Sequence, residues 1–190
     1  MAFRRIFLIF KRYSSQTDNL HGEMIYAFDS YYFGDQAKTV CIAFENWNSE
    51  TDTKIFTETT TVAADYESGA FYKRELPCIL NLLKSIELKD GDLIIVDGYV
   101  TLDNEGKIGL GGHLFEALKG KFPVIGIAKN GFNSPDDQRR SVYRGESKTP
   151  LFVTAIGADV DEVTLKVKQM HGNFRIPTLL KKLDQLSRIE

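Results

Sequence analysis

Asp92-Leu93-Ile94-Ile95-Val96-Asp97-Gly98-Tyr99 is the stretch whose reading decides the fold class of this chain. Leu93 to Val96 is an unbroken apolar run rich in β-branched residues. A strand buried on both faces of a sheet reads this way, whereas a half-exposed strand alternates. The run stops at Asp97-Gly98. Asp-Gly is a common turn pair, so a plain turn accounts for it. A carboxylate at the tip of a buried strand is also costly unless something pairs with it. Ligands of open α/β sheets gather at the carboxyl ends of their strands. The rest of the chain decides between a turn and a site.

Upstream, three strand-like stretches precede the quoted run. Met24 to Phe33 is rich in aromatics with Asp29 in its middle, Thr39 to Trp47 follows the turn-forming Gly34-Asp35, and Thr53 to Val62 is β-branched throughout. Their short polar breaks favour hairpins, which predicts an antiparallel trio. From Leu76 through Ile79, Leu80, Leu83 and Ile86 the apolar period becomes helical. Pro77 is tolerated in a first helical turn, so this helix is expected to begin close to Glu75.

Downstream, a Gly-rich loop leads to a helix near His113 to Leu118, and the short buried strand Pro123 to Ala128 ends at Lys129. A polar loop, Asn130 to Thr149, carries Arg139, Arg140, Arg144 and Lys148. Leu151 to Ile156 reads as a further strand. Val160, Val163, Val167 and Met170 mark one helix, and Leu179, Leu180, Leu183 and Leu186 another after Pro177. Three antiparallel strands followed by alternating helices and strands define an α/β layout, a mixed sheet covered by helices. Right-handed crossovers would set the later strands parallel.

The length, 190 residues, suits one domain with a short appendage. We expect residues 1–18 to be a basic lead-in or arm and 19–190 to be a single domain. The formal net charge of −2 argues against strong nonspecific nucleic-acid binding and leaves room for a local basic groove. Cys41 and Cys78 lie far apart without metal-ligand spacing and read as small buried hydrophobes. Ile6 to Phe10 is too short to span a bilayer, which takes roughly 20 residues, and lacks a signal-peptide layout. A cytoplasmic monomer with no membrane association is the expectation.

Three acids occupy unusual places. Asp29 interrupts an apolar strand, Asp97 ends a buried one, and Glu75 stands at a helix start, where a carboxylate is also a plain stabilising feature. If Asp29 and Asp97 lie on adjacent strands they converge, and converging carboxylates need a shared proton or a cation. Oxygen ligands without a His/Cys cluster favour Mg²⁺, for which Mn²⁺ can substitute. Such a centre is the apparatus of phosphodiester cleavage. Lys129, at the end of the neighbouring strand, would add positive charge there.

These residues resemble the endonuclease V family. Tyr66-Glu67-Ser68-Gly69 followed by Lys73-Arg74-Glu75-Leu76-Pro77 is similar to the family segment with a wedge tyrosine, a glycine and Arg-Glu-x-Pro. Leu93 to Gly98 resembles its central strand, Gly109-Leu110-Gly111-Gly112-His113-Leu114 its Gly-Leu-Ala-Ser-His-Leu, and Val124 to Lys129 its Ile-Gly-Val-Ala-Lys strand. Ala27-Phe28-Asp29 matches the first-strand aspartate and Phe174-Arg175-Ile176-Pro177 a late Arg-x-Pro. The resemblance covers about residues 24–188, and the order of the pieces is what makes it specific.

The resemblance implies a ribonuclease H-like fold and a Mg²⁺-dependent endonuclease of the DNA-repair type. Its substrate would be DNA or RNA carrying a deaminated purine, inosine or deoxyinosine, cut 3′ to the lesion to leave 5′-phosphate ends. By position, Asp29, Glu75 and Asp97 would hold metal, with Lys129 beside them. Tyr66 would wedge into the base stack, and the flipped base would enter a pocket lined near Gly69 and Gly98. Flipping is least costly for a badly paired base, which itself favours lesions. His113 would support the pocket, although a lone histidine at a helix start is as often structural.

The chain departs from the family pattern after Asp97-Gly98, where Tyr99-Val100 replaces His-Gly, so Val100 stands where a glycine would let a base approach the backbone. Asp65 and Ser68 stand in place of wedge-loop prolines. The family's late histidine is replaced by Ala158 after Gly157. Asp159 either supplies a fourth acid or caps a helix together with Glu162. The Arg139–Lys148 cluster suits either phosphate contact or simple solvation, and Tyr31, Tyr32 and Phe33 fit cross-strand packing better than base stacking. Two functions stand: an active endonuclease, or a non-catalytic endonuclease V-like protein that binds nucleic acid or a partner.

Overall fold

In the computed structural model, which describes residues 24–61, 72–103, 106–131 and 139–189, the first three strands form an antiparallel meander. They are β1 (Ile25–Phe33), β2 (Gln36–Phe44) and β3 (Lys54–Thr61). Phe33 pairs with Gln36, so β2 starts earlier than its apolar run suggests, and Gly34 makes the tight turn at φ +59°. Helix α1 (Tyr72–Leu83) follows, then β4 (Leu93–Asp97), α2 (Leu110–Ala117), β5 (Val124–Ala128), β6 (Arg139–Val142), β7 (Leu151–Ile156), α3 (Val160–Gln169) and α4 (Thr178–Ser187). The lead-in 1–18 and the residues Tyr66 and Gly69 lie outside the described residues.

The strands form one mixed sheet in the order β3-β2-β1-β4-β5-β7-β6. β1, β4 and β5 are mutually parallel in neighbouring pairs. The expectation that all later strands run parallel fails at β7, which is antiparallel to β5. A parallel return needs a crossover with room for a helix, and the segment between β5 and β7 instead contains β6, paired antiparallel with β7. The stretch expected to be a polar loop thus contains an edge strand, and its charged residues suit an unpaired edge.

Alternation along the strands sorts their side chains to two faces. Ile25, Ala27, Leu93, Ile95, Ile125 and Ile127 pack with Val163 and Val167 of α3 and Leu179 and Leu183 of α4. Tyr26, Phe28, Ile94, Val96 and Val124 pack with Ile79 and Leu82 of α1 and Leu114 and Phe115 of α2. The quoted run is buried on both faces because helices cover both. The fold is an α/β sandwich of the ribonuclease H-like class. Among the described residues no helix is long and apolar enough to cross a membrane.

Two helices begin earlier than their sequence signals. α1 starts at Tyr72 and takes Pro77 into its interior, giving up one i→i−4 bond. The burial of Cys78, Ile79, Leu82 and Leu83 holds it, and Glu75 remains in its first turn. α2 starts at Leu110, which places Gly111 and Gly112 inside the helix. A Cβ at Gly111 would lie 2.8 Å from Val100 Cγ2, and one at Gly112 2.7 Å from the Val100 carbonyl oxygen. These glycines are what let α2 lie directly on the segment after Asp97.

Candidate active site

The β1–β4 ladder ends at the pair Phe28↔Val96. Asp29 and Asp97 are the next residue of each strand, so the two carboxylates sit side by side on the face covered by α4. Asp97 pairs through its backbone with Ile127 of β5. Gly98, at φ +144°, then turns the chain away, in a region L residues rarely adopt. Two residues beyond Ile127, Lys129 reaches back, and its Nζ donates to Asp97 Oδ2 at 2.9 Å. The same ammonium donates to Asp184 Oδ1 on α4 at 2.8 Å. Asp29, Asp97, Lys129 and Asp184 together line one cleft, floored by apolar residues that include Ile127, Leu180 and Leu183.

The electrostatics follow from this crowding. Burial raises the Asp29 carboxyl, a hydrogen bond from Ser187 opposes the rise, and the charges of Asp97 and Asp184 add to it. Glu75 is 6% exposed. Burial first, then the charges of Asp29 and Asp97, push it well above the usual carboxylate range. Asp184 is held low, chiefly by its hydrogen bonds from Arg188 and, against burial, from Lys129. For Lys129, burial works to lower the ammonium, but Asp184 and Asp97 outweigh it and hold it up. The acids predicted from sequence therefore act on one another, although Glu75 comes from the opposite layer of the sandwich.

Among the described residues, no three acid, histidine or cysteine side chains are closed into a metal-ligating group. Like charges keep such groups apart unless a cation intervenes, and here the Lys129 ammonium bridges two of the four acids. The donor set nonetheless fits a hard divalent cation. It is all carboxylate oxygen. Glu75 is buried, and the charges of Asp29 and Asp97 add to that burial while Arg74 alone opposes them, a costly arrangement for a carboxylate that a nearby cation would relieve.

Asp184 and Ser187 were not singled out from the sequence. Ser187 is fully buried; its Oγ donates its one proton to Asp29 Oδ2 at 2.6 Å and lies 2.9 Å from the Asp184 carbonyl oxygen. A signal was present: Ile176, Leu180 and Asp184 recur at intervals of four, a row that carries a carboxylate onto a buried helix face. The row was masked by the stronger Leu179, Leu183, Leu186 stripe beside it. Asp159, weighed as a fourth acid or a cap, is a cap. Its Oδ1 accepts from the Asp161 and Glu162 amides, both at 2.9 Å, and it is exposed at the start of α3.

Other candidates find structural partners. His113 stacks on Tyr72 of α1, with ring centroids 3.7 Å apart, and so joins the two helices of one face. Arg140 pairs with Asp161 and Arg144 is buried, so neither is a free phosphate contact. Tyr32 lies under the Arg74 guanidinium, 4.2 Å from ring centre to Cζ. Cys41 and Cys78 are buried free thiols, as expected. Val100 is 1% exposed, and its amide donates to Thr154 Oγ1 at 2.9 Å, while Tyr99 Oη donates to the Asn130 carbonyl. The segment that departs from the family pattern is thus built into the core.

A ribonuclease H-like sheet with acids gathered at the carboxyl ends of its central strands defines the nuclease class to which the site points. Comparison with known proteins gives the family. The endonuclease V family model matches residues 10–171, and the chain belongs to that family. Among solved structures it is similar to endonuclease V of Bacillus subtilis, with 17% identity, a TM-score of 0.73, and coverage of 98% of this chain and 90% of that one. It is similar to the catalytic domain of human endonuclease V, with 16% identity, a TM-score of 0.71, and coverage of 97% and 95%. A third similar structure is the Ciona intestinalis enzyme in complex with a 24mer DNA containing an inosine followed by a ribo-adenosine (18% identity, TM-score 0.68, coverage 94% and 96%). No curated protein sequence matches the chain.

Proposed function

We propose that this chain is a Mg²⁺-dependent endonuclease that cuts a phosphodiester bond 3′ to a deaminated purine in DNA or RNA and leaves 5′-phosphate ends. The adjacency of Asp29 and Asp97 beyond the Phe28↔Val96 pair carries the reading. The nuclease class follows from family membership, and the inosine-bearing DNA held by the Ciona intestinalis relative supports the choice of lesion. Asp29, Glu75 and Asp97 would hold the cation, with Asp184 completing the set. Mn²⁺ would serve in its place.

A bound Mg²⁺ would supply Lewis-acid stabilisation of the phosphoryl oxygens and assist deprotonation of the attacking water. The rest falls to the chain. Lys129 Nζ, held between two carboxylates, presents a fixed positive charge where charge grows on a transferring phosphoryl group. Asp29, its Oδ2 occupied by Ser187, keeps its other oxygen for the cleft. Gly98 provides a turn without a side chain next to the reacting strand, and His113 braces the neighbouring helix. Tyr66 and Gly69 would open and receive the flipped base.

A second reading is a non-catalytic member that binds nucleic acid or a partner. The Lys129 bridge favours it, because one ammonium already pairs with both Asp97 and Asp184 and offsets part of their charge. A nicking assay on an inosine-bearing oligonucleotide separates the two. The wild-type chain should nick only with Mg²⁺ or Mn²⁺, and Asp97→Ala should abolish nicking while remaining folded. Equal nicking by both would show a contaminant and sink the assignment. No nicking by a folded wild type under either metal would favour the non-catalytic reading.

A further inference from the structure

Phe174 is the most exposed large apolar side chain among the described residues, at 72%. It nevertheless sits on one of the most firmly tied loops of the molecule. Arg144, 5% exposed, sends its guanidinium into the turn after α3. It donates to the carbonyls of Phe174 at 3.0 Å, Gly172 at 2.9 Å, Lys168 at 3.3 Å and also Met170. Burying an arginine is expensive, and this one is offset by backbone oxygens alone. Gly145, at φ +57°, brings the two loops together so closely that a Cβ there would lie 2.3 Å from the Asn173 carbonyl oxygen. The backbone beneath an apolar ring left in water is thus held in place.

The ring's position suggests a use. Arg175, the next residue, donates to the carbonyls of Lys129 and Pro150, the latter at 2.8 Å, so the loop is bolted to the strand end that carries Lys129. Ile176 and Leu180 line the cleft of the four acids. Lys181, one turn before Asp184 on α4, lies over the Phe174 ring at 5.8 Å. A flat apolar face beside an ammonium, two residues along the chain from Ile176 of the acidic cleft, matches the design of single-strand binding surfaces. In these, aromatic rings stack on bases and lysines follow the backbone.

We infer that Phe174 is a stacking platform for an unpaired nucleobase of the substrate strand flanking the scissile phosphate, with Lys181 contacting the adjoining phosphate. The inference rests on the nuclease reading and deepens it. Stacking on a ring is tolerant of base identity, because every base has a π-face. The platform would thus position the strand without choosing the lesion.

The test uses a short single-stranded oligonucleotide with one inosine, in EDTA so that nothing is cut. Phe174→Ala should weaken binding at least about fivefold, Phe174→Trp should retain it, and both should keep the parental melting temperature. Leu165→Ala, which removes a comparably exposed apolar side chain on α3, should bind as the parent does. In Phe174→Trp, the emission added to that of Trp47 should be quenched as the oligonucleotide saturates. If the parent binds and Phe174→Ala binds within about twofold, or the added emission stays unchanged at saturation, this inference alone falls. If the wavelength of that emission instead shifts as the protein concentration is raised without oligonucleotide, the ring packs on a second copy and the inference is overturned. If the parent neither binds the oligonucleotide nor nicks it with Mg²⁺, the nuclease reading falls with the inference; if it nicks with Mg²⁺ without binding in EDTA, an unchanged KM for Phe174→Ala overturns the inference alone.

Discussion

Ser187 Oγ donates a 2.6 Å hydrogen bond to Asp29 Oδ2, tying the last helix to the first described strand across 158 positions of sequence. The serine is fully buried, so water cannot replace it if it is removed. It fixes one oxygen of a carboxylate that burial and neighbouring acids would otherwise drive towards protonation. In the proposed metal centre, a group that orients a ligand in this way would be worth about 10–100-fold in metal affinity.

Ser187→Ala should therefore raise the Mg²⁺ concentration for half-maximal nicking about tenfold or more. The loss of a buried hydrogen bond should also lower the melting temperature by a few degrees. Magnesium-induced stabilisation, read by calorimetry without substrate, should shift in parallel. An unchanged metal requirement in a folded variant would mean that the bond serves packing only.

Glu75 predicts a pH dependence. Its carboxyl is raised in the folded chain, mainly by burial and then by Asp29 and Asp97. The folded state then holds the proton more tightly than the unfolded state. Stability from this group is fully present below the unfolded value, about 4.3, and is lost as pH rises from there through the folded value. Without metal, Glu75→Gln should melt at least about 3 °C above the parent near pH 8 and close to it near pH 4. The same variant should lose nicking. A variant less stable than the parent at the higher pH would show that the buried carboxylate has a partner and is not a vacant ligand.

Asp159 and Asp184 make opposite predictions. Asp159→Ala removes an N-cap, which costs about 1 kcal/mol, or roughly 2–4 °C in a chain of this size, and should leave nicking unchanged. Asp184→Asn should cut nicking at least about 100-fold in a folded protein. Loss of activity in the first variant and retention in the second would return the fourth acid to Asp159.

The α/β class and the site at the end of the quoted strand were legible because both rest on local patterns. Leu93 to Val96 signals burial on two faces by being apolar throughout, and Asp97 breaks that pattern at the position where it matters. β7 and β6 were less legible. Strand direction depends on whether the connecting segment can cross the sheet, and the charged residues of Arg139–Val142 conceal a strand that lies at an edge. Arg144 read as a surface cation because nothing in the sequence around it announces the carbonyls it meets.

Sequence alone determined which residue types were available and how far apart: Asp29, Glu75 and Asp97 as acids in apolar or helix-start settings, and Lys129 closing a buried strand. Only the tertiary structure decided which of them meet. Strand register set Asp29 beside Asp97, and the docking of α4 brought Asp184 and Ser187 to the same cleft while α3 kept Asp159 as its cap. The physical reason is range. Apolar periodicity and capping act over one or two turns of chain, whereas the field in the cleft is a sum over charges that become neighbours only when the helices close on the sheet.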